Sequence, residues 1–200
     1  MTKLPHINPD LAVSDSLAIV ASSARLLSSE YGSTIDSFKD VVRFNRAPVK
    51  GFEKHIGSKT TIRVANNHVF GNVPHSGWET EHQPTNFIRD QRNVNIVHLG
   101  VNEFWGERER HIHNSCKTFL VDYTFIDSMI PFLGSRPSGG FCFLTLCVEA
   151  GIKPAIFGYG IDEDSYGHYF DPNSVSSHKF SVEREIIKSW IETDKVAFYQ

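Results

Sequence analysis

The sequence has little net charge and no long apolar run, and these absences exclude several classes of protein. Its 20 basic and 23 acidic residues give a formal net charge of −3, which is no indication of a nucleic-acid binder. No apolar stretch approaches the roughly 20 residues that span a bilayer, so no transmembrane segment is predicted. No apolar stretch follows the single lysine of the first ten residues, so we expect no secretory signal.

Cysteine is also scarce. The three cysteines, Cys116, Cys142 and Cys147, form an odd number without a C-x-x-C pair. This favours reduced thiols in a cytoplasmic protein over a disulfide framework or a zinc site. What the sequence does have is 40% hydrophobic residues, with 15 Phe and 3 Trp among 200 residues. That content is sufficient for one folded domain with its own core, which we assign to residues 1–200.

Short apolar segments alternate with helical patterns along the chain. Strands are predicted at residues 17–21, 40–45, 60–65, 93–99, 153–158 and 196–199. A helix is predicted from about Arg25, a buried helix over 139–150, and a last helix from an N-cap at Ser181 to about Thr193. Residues 66–92 are predicted to be a long loop. Together these elements favour an α/β fold with a mostly parallel central sheet covered on both faces.

Candidate ligand-binding residues follow three of these strands. They are Ser22 and Ser23 after the first strand, Asn45 after the second, and Gly158, Tyr159 and Gly160 after the fifth. In sheets of this kind, ligands bind at the carboxyl ends of the strands. Between residues 25 and 63, eight Lys or Arg outnumber four Asp or Glu. This surplus fits either attraction of an anionic ligand or an ordinary solvated surface, and charge alone favours the second.

Two further segments carry chemistry. Ser138, Gly139 and Gly140 precede the buried helix, where backbone N–H groups can bind a phosphate or carboxylate. The alternative is an ordinary loop with Ser138 as the N-cap. His168 and His178, with Tyr169 and Asp171 nearby, are suited to proton transfer, although single histidines are more often surface or core residues.

Metal and thiol chemistry are disfavoured. His111 and His113 form an H-x-H pair for which no third ligand is evident. Cys142 and Cys147 lie in an apolar helix and fit the core better than a nucleophile's role.

Taken in order, these segments resemble the sialyltransferase family of the animal Golgi. The large sialylmotif of that family is similar to residues 17–24, LAIVASSA, to VRFNRAP at 42–48 and to GFEKHIGSKTT at 51–61. The small motif is similar to residues 137–160, and the third motif to His168-Tyr169-Phe170-Asp171. The very small motif, H-x-x-x-x-E, corresponds to His178 and Glu183.

The resemblance implies a single Rossmann-like domain, a variant of the GT-A glycosyltransferase fold. It also implies an inverting enzyme that needs no metal or other cofactor. The enzyme would move sialic acid, or a related sugar acid such as Kdo, from its CMP-activated donor to a hydroxyl of a glycan acceptor. Its expected partners are this donor and this acceptor, and no nucleic acid.

Site residues follow from the same resemblance. His178 is the expected general base, and His168 and Tyr169 are expected to stabilise the departing CMP phosphate. Glu183 is expected to anchor the loop that carries His178. The residues expected to bind the donor are Ser22, Ser23, Asn45, Ser138, Gly139, Gly140, Gly158 and Tyr159.

The sequence departs from the family at several of these positions. Ser22 stands where the family has its donor-binding asparagine. Leu17 and Gly151 stand where the family has the two cysteines of its conserved disulfide, which fits a compact bacterial or viral homologue in a reducing cytosol. Two other functions stay open: a CMP- or sugar-binding module without catalysis, and an unrelated α/β hydrolase, against which the lack of a G-x-S-x-G motif counts.

Overall fold

A computed structural model describes residues 1–66, 69, 93–99, 117–162, 167–171, 173 and 178–199. The strands within these ranges are β1 Thr2–Lys3, β2 Ile7–Asn8, β3 Ala12–Val13, β4 Leu17–Val20, β5 Asp40–Phe44, β6 Ile62–Asn66, β7 Asn95–Leu99, β8 Thr118–Val121, β9 Ala155–Phe157 and β10 Ala197–Tyr199. The helices are a 3-10 helix Ala24–Ser28, α1 Gly32–Ser37, α2 Glu53–Ile56, α3 Tyr123–Leu133, α4 Gly139–Glu149 and α5 Phe180–Glu192.

The described strands form one large sheet and one small one. The large sheet has eight strands in the order β10-β9-β4-β5-β6-β7-β8-β2. Its neighbours run parallel except for β2, which pairs antiparallel with β8 at one edge. The small sheet pairs β1 with β3. The mostly parallel α/β architecture predicted from the sequence is therefore confirmed.

Strand β4 shows why the sheet must be covered on both faces. All four of its residues are buried, and successive side chains point to opposite faces. Leu17 and Ile19 join the cluster that packs under α4 and α5, whereas Ala18 and Val20 join the cluster beneath α1 and α2. Each face of this strand thus has its own layer of helices.

Several predicted boundaries need correction. The six predicted strands are present but shorter, and the helix near Arg25 is a single 3-10 segment rather than an α-helix. Ser181 is not the N-cap of α5, because this helix begins at Phe180 and Lys179 occupies the cap position without a side-chain hydrogen bond. Val182, Ile186 and Trp190 do pack together against the core, as predicted from their spacing.

The interpretation of Cys142 and Cys147 as core residues is confirmed. Both thiols are buried inside α4, and burial raises the pKa of Cys142 to about 12. Nearly all of the predicted loop at 66–92 lies outside the described residues, as do His111, His113 and Cys116. In the part of the chain that is described, no helix has the length and apolar character needed to cross a bilayer.

Candidate functional site

The order of the strands reverses between β4 and β9. From β4 the chain proceeds through β5, β6, β7 and β8 toward one edge, while β9 and β10 lie on the other side of β4. At such a reversal, the connections that leave the carboxyl ends of the two strands diverge and open a crevice for ligands. Ser22 and Ser23 follow β4, and Gly158 follows β9 directly. The two segments that the sequence predicted to bind the donor therefore border this crevice.

Backbone hydrogen bonds join these segments to the third motif. Ser23 donates its N–H to the Gly158 carbonyl at 3.2 Å, and Tyr169 donates its N–H to the Ser22 carbonyl at 2.8 Å. Ser23 and His168 also form an isolated antiparallel bridge. The Ser23 hydroxyl accepts the N–H of Arg25 at 3.3 Å and caps the 3-10 helix. Three motifs that are far apart in the sequence thus share one network.

Glycine is required at position 158. Its φ of +69° lies in the left-handed region, and a Cβ there would come within 2.5 Å of Leu26 Cδ1. The close approach lets the turn after β9 lie directly against the 3-10 helix. A larger residue would push apart the two segments that border the crevice.

Asn45 ends β5, the strand next to β4. It is exposed and has a positive φ of 45°. Its side-chain Oδ1 accepts the N–H of Asn66 at 3.1 Å, and its own N–H donates to the Val64 carbonyl at 2.7 Å. Asn45 therefore lies at the same sheet edge as Ser22, with its side-chain oxygen already holding the end of β6.

His168 and Tyr169 differ sharply in their surroundings. His168 is exposed, and its ring centre lies 4.9 Å from that of Phe170. Tyr169 is buried, and its hydroxyl donates to the Pro48 carbonyl at 2.5 Å. Burial raises the pKa of Tyr169 to about 12 although the nearby Arg43 and Arg63 charges oppose the shift, so this hydroxyl stays protonated. In this structure it holds the loop after β5.

The start of α4 is held by a carboxylate from α5. Glu183 is buried, and its two oxygens accept the backbone N–H and the hydroxyl of Ser138, each at 2.6 Å. The Ser138 hydroxyl oxygen also accepts the N–H of Phe141 at 3.1 Å, which makes Ser138 the N-cap. Burial raises the pKa of Glu183, although the hydrogen bonds from Ser138 and the charge of His178 oppose the shift. The sequence predicted that Glu183 anchors the loop that carries His178, whereas in the structure its carboxylate holds Ser138.

The glycines after Ser138 approach other parts of the site. A Cβ at Gly139 would come within 3.2 Å of Leu99 Cδ1, and the Tyr159 hydroxyl donates to the Gly140 carbonyl at 3.0 Å. The first N–H groups of a helix have no carbonyl one turn earlier to accept them. Both donors of Ser138 are engaged by Glu183, so an anion at this helix start would be met by the N–H groups of Gly139 and Gly140.

His178 is attached to the same loop. Its Nδ1 lies 3.0 Å from the carbonyl oxygen of Arg136. A carbonyl oxygen only accepts, so Nδ1 carries the proton and the neutral ring has its lone pair on Nε2. This is the tautomer that a general base needs when it receives a proton at Nε2.

Two arginines near the site were not singled out from the sequence. The Arg43 guanidinium is buried and donates from Nη2 to the Ile56 and Gly57 carbonyls at 2.6 and 3.1 Å. Arg63 is also buried, its Nη1 donates to the Ala47 carbonyl at 3.1 Å, and burial lowers its pKa to about 10. Both belong to the charge surplus of residues 25–63, but they stabilise loops inside the protein. The sequence did contain a signal for these two arginines, because each is a charged residue between apolar residues of a predicted strand.

The strand order and the segments that meet at its reversal define an α/β protein with a ligand-binding type of crevice, and comparison with known proteins gives the family. The profile of glycosyltransferase family 29 (sialyltransferase) matches residues 14–195. The chain belongs to this family.

Curated relatives match over a shorter segment. The human β-galactoside α-2,6-sialyltransferase 2 is 47% identical over 60 residues, which are 30% of this chain and 11% of the relative. The rat protein of the same name is 45% identical over 60 residues, with the same two shares. The matched segment thus spans about a tenth of the length of these relatives.

Solved structures match over nearly the whole chain. The crystal structure of a mammalian sialyltransferase has a TM-score of 0.68 and 19% identity, and the match covers 92% of this chain and 68% of that one. The Campylobacter jejuni sialyltransferase CstII, in complex with cytidine-5'-monophosphate, has a TM-score of 0.54 and 15% identity, covering 94% and 80%. These likenesses establish the sialyltransferase fold, a variant of the GT-A type.

Proposed function

We propose that this chain transfers sialic acid, or a related sugar acid such as Kdo, from a CMP-activated donor to a hydroxyl of a glycan. Family membership supports the reaction class. The observation that carries the proposal is the junction of Ser22 and Ser23 with Gly158 and His168 at the strand reversal. It supports the proposal, because the groups proposed to bind the nucleotide then lie beside the histidine proposed to meet the leaving phosphate.

The proposed reaction is a single displacement with inversion. The acceptor oxygen attacks the anomeric carbon from the face opposite the phosphate, and a new glycosidic C–O bond forms as the bond to the phosphate breaks. The proton of the acceptor hydroxyl passes to Nε2 of His178, and CMP departs with the bonding electron pair. The hydrogen bond from Nδ1 to the Arg136 carbonyl supports this role, because it fixes the tautomer and the ring orientation.

The charge that develops on the phosphate needs hydrogen-bond donors. We assign this task to His168, which is exposed beside Ser23, with Tyr169 next to it. The Tyr169 hydroxyl would reach a phosphate only by giving up the Pro48 carbonyl, so its first contribution is to place His168. In this proposal the two residues do the work for which other transferases use a metal ion, and none is required.

Donor binding is divided between the two sides of the crevice. Ser22, Ser23 and Asn45 would hold the nucleotide from the ends of β4 and β5. The N–H groups of Gly139 and Gly140, braced by Tyr159, would face the sugar carboxylate or the phosphate. Ser138 would act indirectly, as the cap that sets the direction of α4.

A CMP- or sugar-binding module without catalysis is the second candidate. The engagement of both Ser138 donors by Glu183 favours it, because fewer groups are left for the sugar carboxylate. This candidate would bind CMP but give no transfer with any acceptor.

The cytoplasmic location expected from the sequence remains a prediction.

Calorimetric titration with CMP tests the donor assignment, with UMP as the control and with each titration repeated in EDTA. We expect CMP to bind in the micromolar range, much more tightly than UMP, and EDTA to have no effect. Transfer assays with CMP-sialic acid and CMP-Kdo then identify the sugar. Failure to bind CMP at millimolar concentration would overturn the proposal, and an effect of EDTA would overturn its metal-free form.

A further inference from the structure

The loop before α4 carries a backbone contact to the proposed base and a positively charged side chain on the same residue. The carbonyl of Arg136 accepts the hydrogen bond from His178 Nδ1 at 3.0 Å, whereas the side chain of Arg136 is exposed. Its guanidinium carbon lies 5.8 Å from the ring centre of Tyr123. The residue whose carbonyl orients the His178 ring therefore also presents a cation over an aromatic face.

This cation has no acidic partner within the described ranges. The ion pairs between lysines and carboxylates there involve Lys3, Lys54, Lys153 and Lys188. Glu183 on α5, the buried carboxylate that contacts Ser138 of this loop, is occupied by the two donors of Ser138. A guanidinium near a ring face keeps N–H donors for other partners, and their planar geometry matches a carboxylate or phosphate.

Tyr123 also lines a cavity of about 420 Å³ with His6, Asn8 and Asp122. This volume falls in the range of about 300–1,000 Å³ that is typical of small-molecule sites. Polar side chains around an aromatic ring suit a saccharide, whose hydroxyls need partners and whose C–H face packs on the ring. The cavity is linked to His178 through Tyr123 and then Arg136.

The charges along this path differ at its two ends. Hydrogen bonds from the Thr124 backbone and hydroxyl hold the pKa of Asp122 below its usual value, so the cavity contains a negative charge. His6 also lines the cavity and lies 3.3 Å from Glu149, so that carboxylate is already paired and Asp122 is the acidic residue of the cavity lining. An anionic group is therefore disfavoured beside Asp122 and favoured beside the Arg136 side chain.

We propose that Arg136 is a specificity-determining residue that selects glycan acceptors bearing a carboxylate or phosphate near the accepting hydroxyl, with the sugar ring against Tyr123. This inference rests on the proposed transferase function. It adds to that function the chemical class of the acceptor.

The test compares three matched acceptors: a neutral galactoside disaccharide, its uronic acid analogue and its phosphate monoester. Transfer kinetics are measured for wild type, Arg136→Gln and Arg136→Lys. Lys188→Gln, which removes a cation already paired with Glu185 at 3.1 Å, is the control. We expect Arg136→Gln to raise KM for an anionic acceptor about tenfold or more, because it loses a charge-assisted hydrogen bond. The ratio of kcat/KM for the anionic over the neutral acceptor should therefore fall about tenfold in Arg136→Gln. CMP affinity and the Lys188→Gln control should be unaffected.

A second pair of variants, both on α3, tests whether the aromatic ring beside Arg136 contributes to acceptor selection. Tyr123→Leu should reduce the preference for the anionic acceptor, whereas Phe132→Ala, at a position of α3 that is 82% exposed, should not. Selectivity for the uronic acid or for the phosphate ester identifies which anion is recognised, and either supports the inference.

Equal losses on neutral and anionic acceptors would overturn the inference, since Arg136 would then act only through His178. A wild type indifferent to acceptor charge would also overturn it, while leaving the transferase proposal intact. Saturation-transfer NMR of the same acceptors with CMP present reads binding without turnover. Anion-selective binding that is lost in Arg136→Gln, with no transfer by wild type, would support the inference and contradict the proposed catalysis.

Discussion

Glu183 and Ser138 lie 45 residues apart in the sequence, yet the carboxylate of one accepts both the backbone N–H and the hydroxyl of the other at 2.6 Å. The contact joins the first turn of α5 to the N-cap of α4. It also connects the loop of the proposed base with the glycines proposed to face the donor.

Replacing Glu183 should reveal how much its hydrogen bonds to Ser138 stabilise the fold. In Glu183→Ala both Ser138 donors lose their acceptor, and we expect a loss of about 1–3 kcal/mol in the free energy of unfolding. Urea denaturation of wild type and variant measures it. Unchanged stability would show that water replaces the carboxylate without cost.

Glu183 also predicts a pH dependence. Its pKa in the folded protein is raised above 4.5 by burial, so the native state binds this proton where the unfolded chain has released it. Stability contributed by this group is therefore present below pH 4.5 and lost as pH rises through the raised pKa. The difference in unfolding free energy between wild type and Glu183→Gln should fall across that window. A difference independent of pH would contradict the assignment.

Gly158→Ala should destabilise the folded protein more than the same substitution at another glycine with a positive φ. The added Cβ meets Leu26 Cδ1 at 2.5 Å, in addition to the strain of a positive φ. Gly151→Ala is the matched control, because Gly151 has a φ of +73° and nothing within 4 Å of its Cβ position. We expect Gly158→Ala to cost about 1–3 kcal/mol beyond the control, measured by thermal unfolding. Equal losses would show that Leu26 moves aside.

His178→Ala removes the proposed general base and leaves the proposed nucleotide-binding residues in place. We expect turnover to fall about 10²–10⁴-fold with little change in CMP affinity. His55→Gln is the control, because His55 Nδ1 also contacts a backbone carbonyl, that of Ser29 at 2.6 Å, on α2. Near-normal turnover in His178→Ala would remove this residue from the role of base.

Substitutions of His168 and Tyr169 should affect different properties, the first catalysis and CMP binding and the second mainly stability. His168→Ala is expected to reduce both turnover and CMP affinity, because an exposed donor to the phosphate is lost. Tyr169→Phe removes the hydrogen bond to Pro48 and should cost about 0.5–1.5 kcal/mol of stability with a smaller kinetic effect. Calorimetry with CMP and chemical denaturation measure the two quantities. A larger kinetic loss in Tyr169→Phe than in His168→Ala would transfer the phosphate role to the tyrosine.

The local pattern of apolar residues was sufficient to predict an element that is short, apolar and bounded by turn residues. Strand β4 and helix α4 fall where the sequence predicted them, since buried strands and buried helices require continuous apolar side chains. Strand β8 and helix α3 were missed for physical reasons. The first has only two buried residues, and the second contains Pro131, which normally argues against a helix interior.

The sequence by itself determined the α/β class, because apolar periodicity is a local property, and it determined the order of the motifs that resemble the sialyltransferase family. Only the tertiary structure decided which donors are already occupied. Tyr169 bonds to Pro48 across 121 residues, Glu183 occupies both donors of Ser138, and the Arg136 carbonyl fixes the tautomer of His178. These assignments depend on contacts between segments distant in the chain, which arise only when the sheet brings its strand ends to one edge.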